Sequence, residues 1–241
     1  MPFVAASPKD RLILALDVAS VAEAERIVEE TRGAVGVYKI GYRLVFAGGL
    51  ALAEKLVAAG EKVFLDVKLL DIDNTIAEGV ESILAMGVDW LTLHAYPKAM
   101  RAAVAVRDRA SQGHTKLLGV TVLTSMDDGD LTAAGYVGRV EDLVLARAKD
   151  AVAARMDGIV CSPAEAARLR ASVGPDLVLV TPGVRPKGAD AGDQKRVMTP
   201  GDAIRAGSDL LVVGRPILAA AARRAAAVAI VAEIAEASLG G

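Results

Sequence analysis

The chain has 241 residues, close to the roughly 250 of a single (β/α)8 barrel, which leaves little room for a second domain. Hydrophobic residues make up 53% of it but aromatics only 3%, so the core must be built from Ala, Val, Leu and Ile, as in parallel sheets covered by helices. A formal net charge of −2 and a single cysteine exclude a global field for nucleic acid or an anionic membrane, an intrachain disulfide and a cysteine-based zinc cluster.

Residues 1–10 carry Pro and Lys but no apolar run of signal-peptide length, and no later apolar run reaches membrane-spanning length. A soluble, cytoplasmic protein is expected. Short β-branched or Leu-rich runs then alternate with stretches rich in Ala, Glu and Arg, the pattern of repeated βα units. A first strand over 12–16 ends beside Asp17 and precedes a helix over 21–30. The second strand, 35–39, ends on Lys39, with a helix over 50–59. A third, 62–66, runs into Asp66 and Lys68 before a helix over 76–86; the fourth, 90–94, ends on His94 before a helix over 99–109.

The fifth strand, 117–122, is separated from its helix, 140–153, by the long connection 124–138. The sixth, 158–161, holds the lone Cys161 and precedes a helix over 163–171. After the seventh, 177–181, comes a second long connection, 182–199, made pliable by Gly183, Gly188 and Gly192, and then a helix over 200–206. The eighth, 210–213, runs into Gly214-Arg215-Pro216 and a closing Ala-rich helix over 217–235. Eight strands, each with its helix, predict one closed α/β (β/α)8 TIM barrel over residues 1–241. An open doubly wound sheet more often uses five or six strands.

Both long connections fall on the strand-exit side, where a barrel carries its active site and its lids. Charges converge on that rim. Because side chains alternate along a strand, Asp66 and Lys68 face the barrel mouth with Phe64, while Leu65 and Val67 face the helices. An isolated D-x-K is commonly an ion pair closing the barrel top. Here Lys39 ends the neighbouring strand and Asp71 follows three residues after Lys68. A Lys-Asp-Lys-Asp chain of this kind would keep its lysines cationic and its aspartates ionised.

In the eighth unit, Gly214 permits close approach of a ligand to the backbone, Arg215 offers a bidentate donor and Pro216 suits a first helical turn. That is a phosphate-binding pattern, and barrels often hold phosphate after strands seven and eight. Other conspicuous residues read more plainly. His94 is a rim hydrogen-bonding residue, His114 a solvated loop residue, Cys161 a small buried side chain, Trp90 and Tyr42 packing residues, and Asp127, Asp128 and Asp130 a solvated loop rather than a calcium site.

The run Phe64-Leu65-Asp66-Val67-Lys68-Leu69-Leu70-Asp71-Ile72-Asp73-Asn74-Thr75 resembles the signature of the bacterial branch of the orotidine 5′-phosphate decarboxylase family. So do Leu14-Ala15-Leu16-Asp17, Tyr38-Lys39-Ile40-Gly41, Val122-Leu123-Thr124-Ser125-Met126 and Thr181-Pro182-Gly183-Val184-Arg185-Pro186 with Ala191-Gly192-Asp193-Gln194-Lys195-Arg196. The likeness runs from about Leu12 to Ile217. It implies conversion of orotidine 5′-monophosphate to uridine 5′-monophosphate and CO2, the last step of de novo pyrimidine nucleotide synthesis, without metal or cofactor.

By the same resemblance, Asp17 and Lys39 would bind ribose hydroxyls, Asp66 would sit against the substrate carboxylate and Lys68 would protonate C6. Asp71, Ile72 and Thr75 would reach into the site of a neighbouring subunit, making a homodimer with shared active sites. Thr124 or Ser125 would contact the pyrimidine, and Arg185, Gln194, Gly214 and Arg215 would hold the 5′-phosphate. The chain departs from the bacterial pattern at Leu69-Leu70, where Phe-His is common, and at Asp73, where Pro is common. Two rivals are weighed. Magnesium-dependent sugar-phosphate relatives share the D-x-K-x-x-D core but carry an acid where this chain has Lys39, and a non-catalytic phosphosugar-binding barrel would not need Asp66 and Lys68.

Overall fold

The computed structural model describes residues 3–110, 114–186 and 198–239. Eight parallel strands close on themselves in sequence order, β1 pairing with β8. In chain order the elements are β1 (Leu12–Ala15), α1 (Val21–Thr31), β2 (Val37–Gly41), a short α2 (Tyr42–Leu44), α3 (Leu50–Ala58), β3 (Val63–Leu69), α4 (Asp73–Ala85), β4 (Trp90–His94), α5 (Pro97–Arg109) and β5 (Lys116–Val120). There follow α6 (Asp128–Ala133), α7 (Val140–Ala153), β6 (Gly158–Val160), α8 (Ala166–Val173), β7 (Val178–Pro182), α9 (Pro200–Arg205), β8 (Leu210–Val213), α10 (Arg215–Leu218) and α11 (Arg223–Leu239).

Period-two alternation sorts the core into two shells. Inside the barrel lie Ile13, Val37, Phe64, Trp90, Leu118 and Val180. Their neighbours Leu12, Leu14, Leu65, Leu91, Leu117 and Leu179 point outward and pack beneath the helices. At the strand-entry end Phe3 meets the edge of Trp90 with ring centroids 6.3 Å apart, and the Lys116 ammonium lies 5.0 Å over the Trp90 ring. That end is thereby closed by side chains.

Three aspartates fix the register there. Asp89, Asp157 and Asp209 each stand immediately before β4, β6 and β8. Each donates its own N–H to the carbonyl of one residue of the preceding strand, Val63, Leu117 and Leu179. Each carboxylate then accepts the N–H of that same residue at 2.8, 2.9 and 2.8 Å. Before β2 the corresponding residue is Gly36, which donates to Leu12 O. A Cβ there would lie 2.5 Å from the Asp10 backbone, so no side chain fits.

All eight predicted strands are present, with differences at their ends. β2 begins at Val37 rather than 35, because Gly36 is engaged in the turn under β1. β3 continues to Leu69 through an irregular pairing with β4. The connection 124–138 contains α6, whose start is a reciprocal cap in which Asp127 accepts from Asp130 N–H and Asp130 from Asp127 N–H, both at 3.0 Å. The Asp127-Asp128-Asp130 loop is therefore a helix start, and Asp128 accepts the Val140 N–H. The closing helix is broken in two after Leu218, whose carbonyl accepts from Arg223 Nε. Gly188, Gly192 and most of the 182–199 connection lie outside the described residues. Its base is drawn together where Arg185 N–H donates to Met198 O.

Candidate active site

β3 supplies the charged centre. Its pairing with β4 shifts register between Leu65 and Leu69, and at Lys68 the backbone takes φ 43°, a left-handed conformation uncommon for a residue with a Cβ. Three hydrogen bonds hold the distortion. Thr92 Oγ1, on β4, accepts the Lys68 N–H at 3.0 Å and donates to Asp66 Oδ1 at 3.0 Å; the Tyr42 hydroxyl donates to Val67 O at 2.7 Å. With the chain turned this way, Lys68 Nζ lies 2.8 Å from Asp66 Oδ1.

The other Asp66 oxygen, Oδ2, is 3.2 Å from Lys39 Nζ, which also lies 3.2 Å from Asp17 Oδ1. Within one chain the charges therefore alternate Asp17, Lys39, Asp66, Lys68. Burial would favour the neutral amine of Lys39, but the charges of Asp66 and then Asp17 outweigh it and hold the ammonium above the ordinary lysine range. Asp66 is the mirror case. Burial raises its carboxyl, while Lys39, Lys68 and the hydrogen bonds from Lys68 and Thr92 together bring it below the ordinary aspartate range. Gly41 gives the cluster clearance, since a Cβ there would stand 3.1 Å from Lys39 Nζ.

These groups lie in a mouth-side cavity of about 480 Å3. Of the residues singled out in the sequence, Asp17, Lys39, Asp66, Lys68, Thr124, Arg185, Gly214 and Arg215 line it. Phe64, Val120, Val160 and Val212 give it an apolar floor. Arg185 is buried, and its Nη1 donates to Val184 O at 2.8 Å. Ser125 is exposed and outside the lining, so Thr124 is the member of that pair that faces the cavity.

Asp71, Ile72 and Thr75 are also outside the lining and exposed, on the turn into α4 and its first turn. The Asp71 carboxylate accepts the Ile72 N–H at 2.7 Å, and among the described residues it forms no ion pair with Lys68 of its own chain. Gln194 lies outside the described residues.

Sequence reasoning missed Thr92, Tyr42 and Arg43, which donates to Asp17 O at 3.0 Å. Tyr42 is half exposed and stacks on Phe46 rather than packing in the core. Thr92 did carry a signal: it sits two residues beyond the inward Trp90, as Asp66 sits two beyond the inward Phe64, and those two inward residues are register partners.

Next along the rim, the Arg147 guanidinium lies 4.8 Å over the Tyr96 ring and 5.5 Å over that of Tyr136, and donates to the Tyr136 hydroxyl at 3.1 Å. Tyr96 and Tyr136 share a hydroxyl hydrogen bond. The cluster ties the segment after α6 to the ends of β4 and β5. His94 packs against Tyr96, and burial, then Arg147 and Lys68, hold its imidazole below the ordinary value. Cys161 is fully buried, with its thiol pushed up by that burial.

A family model described as "Orotidine 5'-phosphate decarboxylase / HUMPS family" matches residues 10–230. The chain belongs to that family. Among relatives in the orotidine 5′-phosphate decarboxylase family is the orotidine 5'-phosphate decarboxylase of Methylobacterium sp. (strain 4-46), 60% identical over 231 residues, covering 96% of this chain and 98% of that protein. The enzyme of the same name from Rhodopseudomonas palustris (strain BisB5) is 60% identical over 230 residues, covering 95% and 97%. The fold agrees. A crystal structure of orotidine 5'-phosphate decarboxylase from Lactobacillus acidophilus matches with a TM-score of 0.82 at 33% identity, covering 92% of this chain and 98% of that one.

Proposed function

We propose that this protein decarboxylates orotidine 5′-monophosphate to uridine 5′-monophosphate and CO2, the closing step of pyrimidine nucleotide synthesis, without a metal or cofactor. The observation that carries the reading is the charge-alternating run Lys39, Asp66, Lys68 lining a cavity that Arg185 and Arg215 also line. When the C6 carboxylate leaves as CO2, the electron pair stays on a carbon with no adjacent electron sink. Lys68, fixed by Asp66, supplies a pre-placed cation and then the proton that forms the new C6–H bond.

Asp66 would sit against the departing carboxylate. Two unit charges about 3 Å apart at an effective dielectric of about 20 repel by about 5 kcal/mol. Enzymes lower barriers by roughly 8–23 kcal/mol, so stabilisation of the transition state, aided by binding energy from the phosphate, supplies the larger share. Thr124 would meet the pyrimidine, Asp17 and Lys39 the ribose, and Arg185, Gln194, Gly214 and Arg215 the phosphate.

Asp71, Ile72 and Thr75 are read as completing the site of a second copy, giving a homodimer and the fourth charge of the Lys-Asp-Lys-Asp network. The exposure of Ile72, at 72%, beside that of Leu70 supports this, because an apolar pair at the mouth gains by being covered. We further read the chain as one barrel domain working in the cytoplasm; no described helix is long and apolar enough to cross a membrane.

Magnesium-dependent members of the wider family would need a carboxylate where Lys39 stands, and an ammonium 3.2 Å from Asp66 Oδ2 repels a divalent cation. Ultraviolet absorbance of orotidine 5′-monophosphate with purified protein and excess chelator tests the proposal. Loss of the substrate band with formation of uridine 5′-monophosphate, unchanged by chelator, is expected. Turnover only with added magnesium, or tight nucleotide binding with no turnover, overturns it.

A further inference from the structure

Thr92 is 0% exposed, mid-strand on β4, with a hydroxyl that no water reaches. Its single oxygen makes two bonds to β3 that serve different purposes: it accepts the N–H of Lys68, where the backbone is left-handed, and donates its proton to the Asp66 oxygen that also carries Lys68 Nζ. We propose that Thr92 is the positioning residue of the charged centre, fixing the carboxylate plane of Asp66 and the turned backbone of Lys68 through one hydroxyl.

The geometry gives this residue a part that its neighbours cannot take. Lys39 and Lys68 also bind Asp66, but both are charge partners on long side chains with many rotamers, whereas the Thr92 hydroxyl sits one bond from Cβ on a fully buried strand residue. Its hydroxyl proton is committed, because one proton and one accepting lone pair are each used on β3. Rotating the Asp66 carboxylate would break that bond along with both ion pairs. Releasing Lys68 N–H would leave a donor at a strained position with no strand partner, and the backbone there would relax towards ordinary extended geometry. Both changes move Lys68 Nζ with respect to the reacting carbon, and reaction rates are sensitive to displacements of about 1 Å.

The inference rests on the decarboxylase reading for its kinetic arm and on geometry alone for its second arm. In Thr92→Val, which keeps the shape and removes the hydroxyl, kcat should fall about thirtyfold with KM within about twofold, while Thr92→Ser restores most of the loss. A thirtyfold change corresponds to about 2 kcal/mol in activation free energy. Hydrogen exchange of the Lys68 amide, which needs no turnover, should quicken in Thr92→Val and stay near the parent in Thr92→Ser. Thr92→Cys, nearly isosteric with Ser and a weak donor, replaces the Val variant if that one does not fold, with the same expected losses. Equal impairment of the Ser and Val variants, or full kcat and unchanged exchange in Thr92→Val, overturns the proposal. A parent enzyme that fails to decarboxylate overturns the functional reading instead, and the exchange data then decide the positioning role by themselves.

Discussion

Replacing Lys39 by Met keeps length and stem volume but takes one of two cations away from Asp66. Lys39 is 7% exposed, and its Nζ is 3.2 Å from Asp66 Oδ2. At an effective dielectric of about 20 the gross attraction at that distance is about 5 kcal/mol. The pair with Asp17 adds about 1 kcal/mol, since the Asp17 side chain is half in water. Against this stands the desolvation of the ammonium, so the net loss should lie at the roughly 3–5 kcal/mol found when one partner of a buried pair is removed.

For a chain of this size each kcal/mol shifts Tm by about 2–4 °C, giving a fall of about 6–20 °C by circular dichroism. The loss should be electrostatic in origin, so the double variant Lys39→Met/Asp66→Asn should recover most of the Tm while remaining inactive. The acid limb should move as well. Asp66 has a depressed carboxyl in the folded protein, so its contribution is fully present above the unfolded value of about 3.9 and is lost as pH falls through the folded one. Without Lys39 the depression shrinks, so the acid loss due to Asp66 becomes smaller and is complete at a higher pH. A Lys39→Met protein with parental Tm, or a double variant no more stable than the single, would refute the reasoning.

Lys68→Ala should abolish formation of uridine 5′-monophosphate while leaving a folded barrel by circular dichroism; near-normal turnover sinks the assignment of the proton. Arg215→Ala should raise KM by about ten- to a hundredfold, the equivalent of roughly 1.5–3 kcal/mol for hydrogen bonds to a charged group, with a smaller change in kcat under saturating substrate. His94 is held below its ordinary value, so the unfolded chain takes up its proton first and stability falls as pH drops below about 6.5. His94→Gln should flatten the Tm curve between about pH 7.5 and 5.5, and an unchanged slope would show that other groups govern that limb.

The barrel was legible because each strand is a short apolar run bounded by polar residues, and counting such runs does not depend on where each one ends. Asp66 was placed correctly by alternation alone. Lys68 reaches the same cavity by a different route, through a left-handed residue that alternation does not foresee. Thr92 was hidden because its role is a matter of adjacency across strands, and an uncharged Thr among apolar residues has the composition of any barrel wall. The helix over 217–235 was read as continuous because residues 219–222 are all Ala, which carries no stop signal, although the helix is interrupted there. The start of α6 could have been found from the Asp127-x-x-Asp130 spacing, which suits a reciprocal cap.

The paired hydrogen bonds of Asp89, Asp157 and Asp209 have a bearing on how the barrel is assembled. Each joins an even-numbered strand to the one before it, gripping both the carbonyl and the amide of a single residue. A slip by one residue would break both contacts and turn every side chain of that strand to the wrong shell. Register is thus marked inside successive βαβ modules, by contacts that span 26, 40 and 30 residues of chain and need no closure of the ring. Closing loops of that length costs only modestly more entropy than closing shorter ones, because the cost grows with the logarithm of length. The modules are fastened at the end opposite the mouth, so loops at the mouth can diverge without disturbing the contacts that set the register.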